Sequence, residues 1–253
     1  MLDFSTNNPW LVAIALNSIL MLVSIVIPKK LLTPAGTINA WGLGVVVWGT
    51  LGWRGYGVVL FYFLVGSAVT RIGMAQKEAE GIAEKRGGAR GPENVWGSAF
   101  TATICAIGVA VIKFGWLDAS WESLLILGYV ASFATKLSDT TASEVGKAYG
   151  KSTFLITTLK PVPRGTEGAI SLEGTLAGIV GGILISLVAY SLEMITFQSV
   201  ITCTIAAFVA TNIESVIGAT LQSDIDWLSN ELVNVINTIV GAVVAISIAL
   251  VWH

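Results

Sequence analysis

The sequence predicts an all-α, polytopic membrane bundle of about eight transmembrane helices, one domain over residues 1–253, with both termini on the non-cytoplasmic side. Three observations predict it. Of the residues, 54% are hydrophobic and 12% are charged, and the mean hydropathy is +0.78; a soluble domain is about a quarter charged. Stretches 4–28, 31–53, 94–112, 174–192, 194–211 and 232–252 carry no Asp, Glu, Lys or Arg, and each is near or above the roughly 18 residues of a spanning helix. Finally, the basic residues fall almost wholly on one side of the alternating spans.

In chain order the spans are predicted at 10–27, 37–53, 56–72, 95–115, 121–138, 173–192, 196–213 and 233–252. The first carries neither a basic leader nor a small-residue cleavage site ahead of it, so it reads as a mature helix of a bacterial or trimmed organellar chain. The second and third are separated only by Arg54 and its neighbours. The fifth is short: its charge-free run, 123–135, reaches spanning length only by borrowing 121, 122 and 136–138. Helices are required because backbone groups in hydrocarbon must be satisfied internally, and the runs lack the alternation of a membrane barrel. No convincing internal repeat is present.

Alternating the spans puts 12 of the 14 Lys and Arg residues on one side, Arg54 and Lys113 being the other two. The positive-inside rule makes that side cytoplasmic. The cytoplasmic loops are then 73–94, 139–172 and 214–232, and the outer connections are a few residues each. Trp10, Trp41, Trp53, Trp96, Trp116, Trp121, Trp227 and Trp252 fall near helix ends, as interfacial anchors do. Cys105 and Cys203 read as small core hydrophobes, and the one histidine is His253. Histidine catalysis and a Cys/His metal site are thereby excluded, and any metal needs oxygen ligands, which favours Mg²⁺ or Mn²⁺.

Four segments carry polar chemistry. In Ser138–Lys151, helical spacing puts Asp139, Ser143, Gly146 and Gly150 on one face, a flat strip against which another backbone or a phosphate chain can lie. Thr140, Glu144, Lys147 and Lys151 form the adjacent face. In Lys160–Gly178, Gly165, Thr166, Glu167 and Gly168 form a turn-rich loop beside Arg164, Ser171 is a candidate N-cap, and Glu173 falls in the first helical turn. Such a loop can offer N–H groups to an anion, while Gly174, Gly178 and Gly182 suit helix packing. Residues 73–96 mix Lys77, Lys85, Arg86 and Arg90 with glutamates and end near Asn94. They read either as a loop anchored at the headgroups or as a flexible basic flap over a polyphosphate. Asn212, Glu214, Asp226, Asn230, Asn234 and Asn237 border the last two spans, and polar groups inside a bilayer face a bundle interior or a cavity.

Asp139-Thr-Thr-Ala-Ser-Glu-Val-Gly and Gly165-Thr-Glu-Gly-Ala-Ile-Ser-Leu-Glu-Gly-Thr, with 87–97, resemble the integral membrane family that includes the phytyl-phosphate kinase of tocopherol biosynthesis, related to CTP-dependent polyprenol and phytol kinases. The resemblance runs from about Asn39 to Trp252. It implies transfer of the γ-phosphoryl group of a nucleoside triphosphate, CTP, to an isoprenyl monophosphate, with Mg²⁺, in a cyanobacterial-type inner or thylakoid membrane. The partners expected are the lipid phosphate, the nucleotide and membrane lipid, with no nucleic acid.

The residues suit that chemistry, which rests on positioning, positive charge and metal. Asp139, Glu144 and Glu173 are the candidate Mg²⁺ ligands; Asp139, Glu144, Lys147 and Arg164 are the candidate catalytic set. Gly146, Gly150, Lys151, Gly165, Thr166, Glu167, Gly168, Arg86 and Asn94 are candidate nucleotide contacts. The competing readings are an isoprenoid alcohol kinase, a CTP-dependent lipid cytidylyltransferase and, in another class, a transporter, whose decisive charges belong nearer the bilayer midplane.

Overall fold

The structure, a computed structural model, describes residues 8–27, 30–222, 224–225 and 227–252. Lys29, Asp226 and His253 lie outside the described residues. The helices are α1 (Pro9–Val26), α2 (Pro34–Thr70), α3 (Met74–Ala79), α4 (Pro92–Lys113), α5 (Glu122–Tyr149), α6 (Leu172–Ser191), α7 (Phe197–Thr220) and α8 (Asn230–Trp252). A small antiparallel ladder, β1 (Phe154–Leu155) with β2 (Ala169–Ile170), joins α5 to α6. Apart from α3 and α5, every helix is long and apolar enough to cross a membrane by length and composition.

Capping chemistry sets many of the helix starts. Asn8, Thr33, Ser171 and Thr196 each accept a hydrogen bond from a backbone N–H of the first turn, and Pro9 and Pro34 enter where no N–H is needed. The expected Ser171 cap and first-turn Glu173 are both present.

α2 covers two predicted spans and folds back on itself. Gly52 has φ 66° and ψ −160°, a conformation open essentially to glycine alone. The two arms, 34–51 and 53–70, lie side by side: Gly36 packs on the carbonyl of Arg90 and Gly66 on its guanidinium. A continuous helix would hold those two glycines about 45 Å apart, beyond the reach of one arginine. Trp48 and Tyr56 meet edge to face across the turn, their centroids 5.2 Å apart. The outer end is tied by Arg54 to Glu193 at 2.5 Å and by Lys113, which donates to the Thr50 carbonyl at 2.7 Å.

α5 is the helix around which the others pack. It contacts α2, α3, α4, α6, α7 and α8, and every residue from Leu127 to Asp139 is buried. This burial is why α5 tolerates polar residues that would be costly against lipid, and why its apolar run is short. Tyr129 donates to the Gly55 carbonyl at 2.7 Å and packs edge to face on Phe133, joining α5 to the second arm of α2.

The glycine strips form a seam between α5 and α6. A Cβ on Gly174 would strike the Ala142 carbonyl at 2.6 Å, and one on Gly178 would meet the Ser138 carbonyl at 3.0 Å. Of the α5 strip, Gly146 and Gly150 lie against the start of α6, where a Cβ would meet Ser171 Oγ at 3.2 and 3.1 Å, and Asp139, Ser143 and Gly146 line a polar cavity.

Candidate functional site

The polar residues gather at the end of the bundle opposite Arg54 and Glu193. There a cavity of about 190 Å³ is walled by the α5 segment, the 165–171 loop, the start of α6, the ends of α7 and α8, and residues 84–98. α5 supplies Lys136, Asp139, Glu144 and Lys147 from its last turns. The β1–β2 ladder folds the 165–168 loop over them, and Gly168, at φ +73°, lets the loop touch Ser215 and Ala219 of α7. Asp139, Glu144, Lys147, Gly146, Gly165, Thr166, Glu167, Gly168 and Asn94 therefore line one space, although they come from segments far apart in sequence.

Several candidates sit elsewhere. Arg164 is bound to Glu80 at 2.5 Å and does not line the cavity, so it ties the loop before Gly165 to the end of α3. Arg86 pairs with Glu93 and donates to Asn94 at 2.9 Å, so its charge is already engaged. Lys151 is exposed, Gly150 is packed on Ser171, and Glu173 occupies a face of α6 that does not line the cavity. The 73–96 segment is fastened and not a free flap. Lys77 is wholly buried, donates to the Thr70 carbonyl at 2.8 Å and is paired with Glu144. The Arg90 backbone is hydrogen-bonded to Leu31 and Thr33.

Those pairings change the carboxylates open to a metal. Glu144 is committed to Lys77, and Glu173 is remote. Asp139 accepts from the buried Lys136 at 2.6 Å, and Lys136 also donates to Asn234 Oδ1 at 2.6 Å. Glu214 of α7 lies close enough to Asp139 and Glu167 for their charges to interact. Among the described residues no three Asp, Glu, His or Cys side chains form a ready metal cage. The donor set fits Mg²⁺ nonetheless, since that ion commonly takes one or two carboxylates and completes its shell with substrate phosphates and water.

Lys136 and Tyr62 are wall residues that sequence reasoning did not assign, and Arg90 and Glu214, named there only within polar segments, also line the wall. An ionisable residue inside a membrane helix is the signal that singles out Lys136. Asn234, expected on a polar face, does meet a partner. Asn237 is buried, and neither of its amide atoms meets a hydrogen-bond partner among the described residues.

Residues 17–242 match the family described as integral membrane protein DUF92. The chain belongs to that family. A membrane protein of Synechocystis sp. is 64% identical over 95% of this chain and 91% of its own length. Protein VTE6, chloroplastic, of Arabidopsis thaliana is 43% identical over 96% of this chain and 72% of its own length. A membrane protein of the archaeon Methanocaldococcus jannaschii is 32% identical over 91% of each chain. No solved structure matches. For this DUF92 protein, membership makes the apolar helices those of an integral multi-pass membrane protein.

Proposed function

We propose that this protein is an isoprenyl-phosphate kinase that transfers the γ-phosphoryl group of CTP to phytyl phosphate, giving phytyl diphosphate and CDP, with the site and the 73–94 segment facing the cytoplasm. The expected cytoplasmic loops 139–172 and 214–232 begin inside helices, since α5 runs to Tyr149 and α7 to Thr220. One observation carries the reading: a single polar cavity at one end of the bundle is walled by the two segments that most resemble the phytyl-phosphate kinase family. The 43% identity to protein VTE6 supports the same class. Charges gathered at one end of the bundle, not at its middle, argue against a transporter.

The chemistry asks little of the side chains. A phosphate oxygen of the lipid attacks the γ-phosphorus, and the bond from that phosphorus to the β-bridging oxygen breaks. Both reactants and both products are ionised phosphates, so no proton need be removed, and a site without histidine suffices. Lys147 and Lys85 stand where they can balance phosphate charge, and the Gly165–Gly168 turn can offer N–H groups. Asp139 with Glu214 would hold Mg²⁺, which when bound neutralises charge on the transferring phosphates.

The test incubates purified protein with phytyl phosphate, γ-labelled CTP and Mg²⁺ and resolves the lipids. Labelled diphosphate with released CDP is expected, and excess EDTA should abolish it. Product only from the free alcohol would indicate an alcohol kinase, and released pyrophosphate a cytidylyltransferase; either outcome replaces this reading.

A further inference from the structure

Beside the polar cavity lies an apolar one of about 300 Å³. α1 and the two arms of α2 wall it, with Leu20, Val23, Leu43, Val59, Leu60 and Leu64 among the lining residues. Leu20, Val23, Leu60 and Leu64 are also 40, 47, 39 and 50% exposed on the outer surface of the bundle. The cavity is therefore a slot that opens sideways, where lipid lies. Its deep end is closed by Asn17, whose amide is spent inside the protein, accepting from Tyr56 at 2.9 Å and donating to the Ala13 carbonyl at 2.9 Å. From Asn17 to Ile27 the α1 wall rises about 15 Å.

The other end meets the polar cavity. Tyr62, Arg90 and Ser98 line both spaces. Arg90 donates to Tyr62 Oη at 2.7 Å, Tyr62 donates to Ser98 at 2.8 Å, and the guanidinium lies over the Tyr62 ring with its carbon 5.0 Å from the centroid. Among the described residues no carboxylate forms an ion pair with Arg90. The backbone bonds to Leu31 and Thr33, at 3.0 Å each, hold it there. A fixed guanidinium without a carboxylate, at the point where an apolar slot enters a polar cavity, matches an apolar chain that ends in an anion, which on the kinase reading is a phosphate.

We infer that the α1–α2 slot takes the isoprenyl tail, and that Arg90, seated on Tyr62, binds the lipid phosphate at the mouth and presents it to the nucleotide cavity. The inference rests on the kinase reading for the identity of the lipid, and it adds the subsite and the residue that grips it. Arg90 touches the substrate phosphate; Tyr62 and Ser98 position Arg90.

The experiment uses full-length protein in phosphatidylcholine nanodiscs and an isoprenyl phosphate with a photoreactive diazirine at the tail end, compared with the corresponding alcohol. Cross-linked peptides are mapped by mass spectrometry, without nucleotide. Label is expected within 17–27, 40–44 or 56–64, about tenfold stronger for the phosphate than for the alcohol. Arg90→Gln should bring the phosphate probe down to the level of the alcohol, while Arg90→Lys should keep part of the difference. Label on the outer faces of α6 or α7, or unchanged labelling of monodisperse Arg90→Gln protein, overturns the inference. Equal labelling by phosphate and alcohol also overturns it, since the slot would then hold ordinary bilayer chains; that comparison needs no variant to fold. Labelling in the slot without phosphoryl transfer defeats only the kinase reading, and transfer with label elsewhere defeats only the subsite.

Discussion

Asp139 shares its carboxylate between Lys136 and the cavity, and the two roles separate by experiment. Asp139→Asn removes charge from the proposed metal site, so specific activity per folded molecule should fall by orders of magnitude, since metal-bridged charge neutralisation is worth several kcal/mol. The same change leaves Lys136 buried without its anion, a loss of about 3–5 kcal/mol for a buried pair. Adding Lys136→Met removes the orphan charge, so the double variant should regain thermal stability in detergent and stay inactive. Recovered activity in the double variant would show Asp139 to be structural. Lys77 and Glu144 are a second buried pair away from the proposed metal: Lys77→Met alone should destabilise by about 3–5 kcal/mol, and Lys77→Met with Glu144→Gln by much less. These pairs also mark how far the sequence was legible. Asp139, Glu144, Lys147 and Gly165–Gly168 could be grouped because local spacing and loop chemistry bring them to one end. The commitment of Glu144 to Lys77 and of Arg164 to Glu80 could not be read, because the partners are 67 and 84 residues apart in the chain.

At the scale of elements, the hairpin in α2 depends on one residue. Gly52→Val places a β-branched side chain at a positive φ and should cost about 1–3 kcal/mol, read as a lower midpoint of thermal unfolding in detergent. An unchanged midpoint would mean that the turn relaxes without strain. The existence of two spans here was visible from the charge-free runs on either side of Arg54. Their tight junction at a single glycine was not, since the chain reverses there without a loop of polar residues. The same limit applies to α5. Its short apolar run is misleading as long as lipid is assumed to surround every span, and it makes sense once the ring of neighbouring helices replaces lipid as its solvent.

For the whole molecule, charge asymmetry predicts orientation. Single cysteines in a background of Cys105→Ala and Cys203→Ala should label at 85 and 160 only from the cytoplasmic side and at 54 and 193 only from the other, under membrane-impermeant maleimide. Labelling of 85 or 160 from outside would end that topology. The structure already puts Lys85, which lines the polar cavity, at the opposite end of the bundle from Arg54 and Glu193. This separation was legible because it rests on counting charges between runs. The two adjoining cavities were not, because they arise from how α1, α2 and α5 stack.

The sideways opening between α1 and α2 also decides what concentration means for this protein. A lipid that enters from the bilayer is met in two dimensions, so its surface density, not its amount per litre, sets occupancy. Diluting a fixed quantity of protein and substrate with inert phospholipid should therefore slow a sub-saturated reaction, about twofold for each doubling of total lipid, though the bulk concentration never changes.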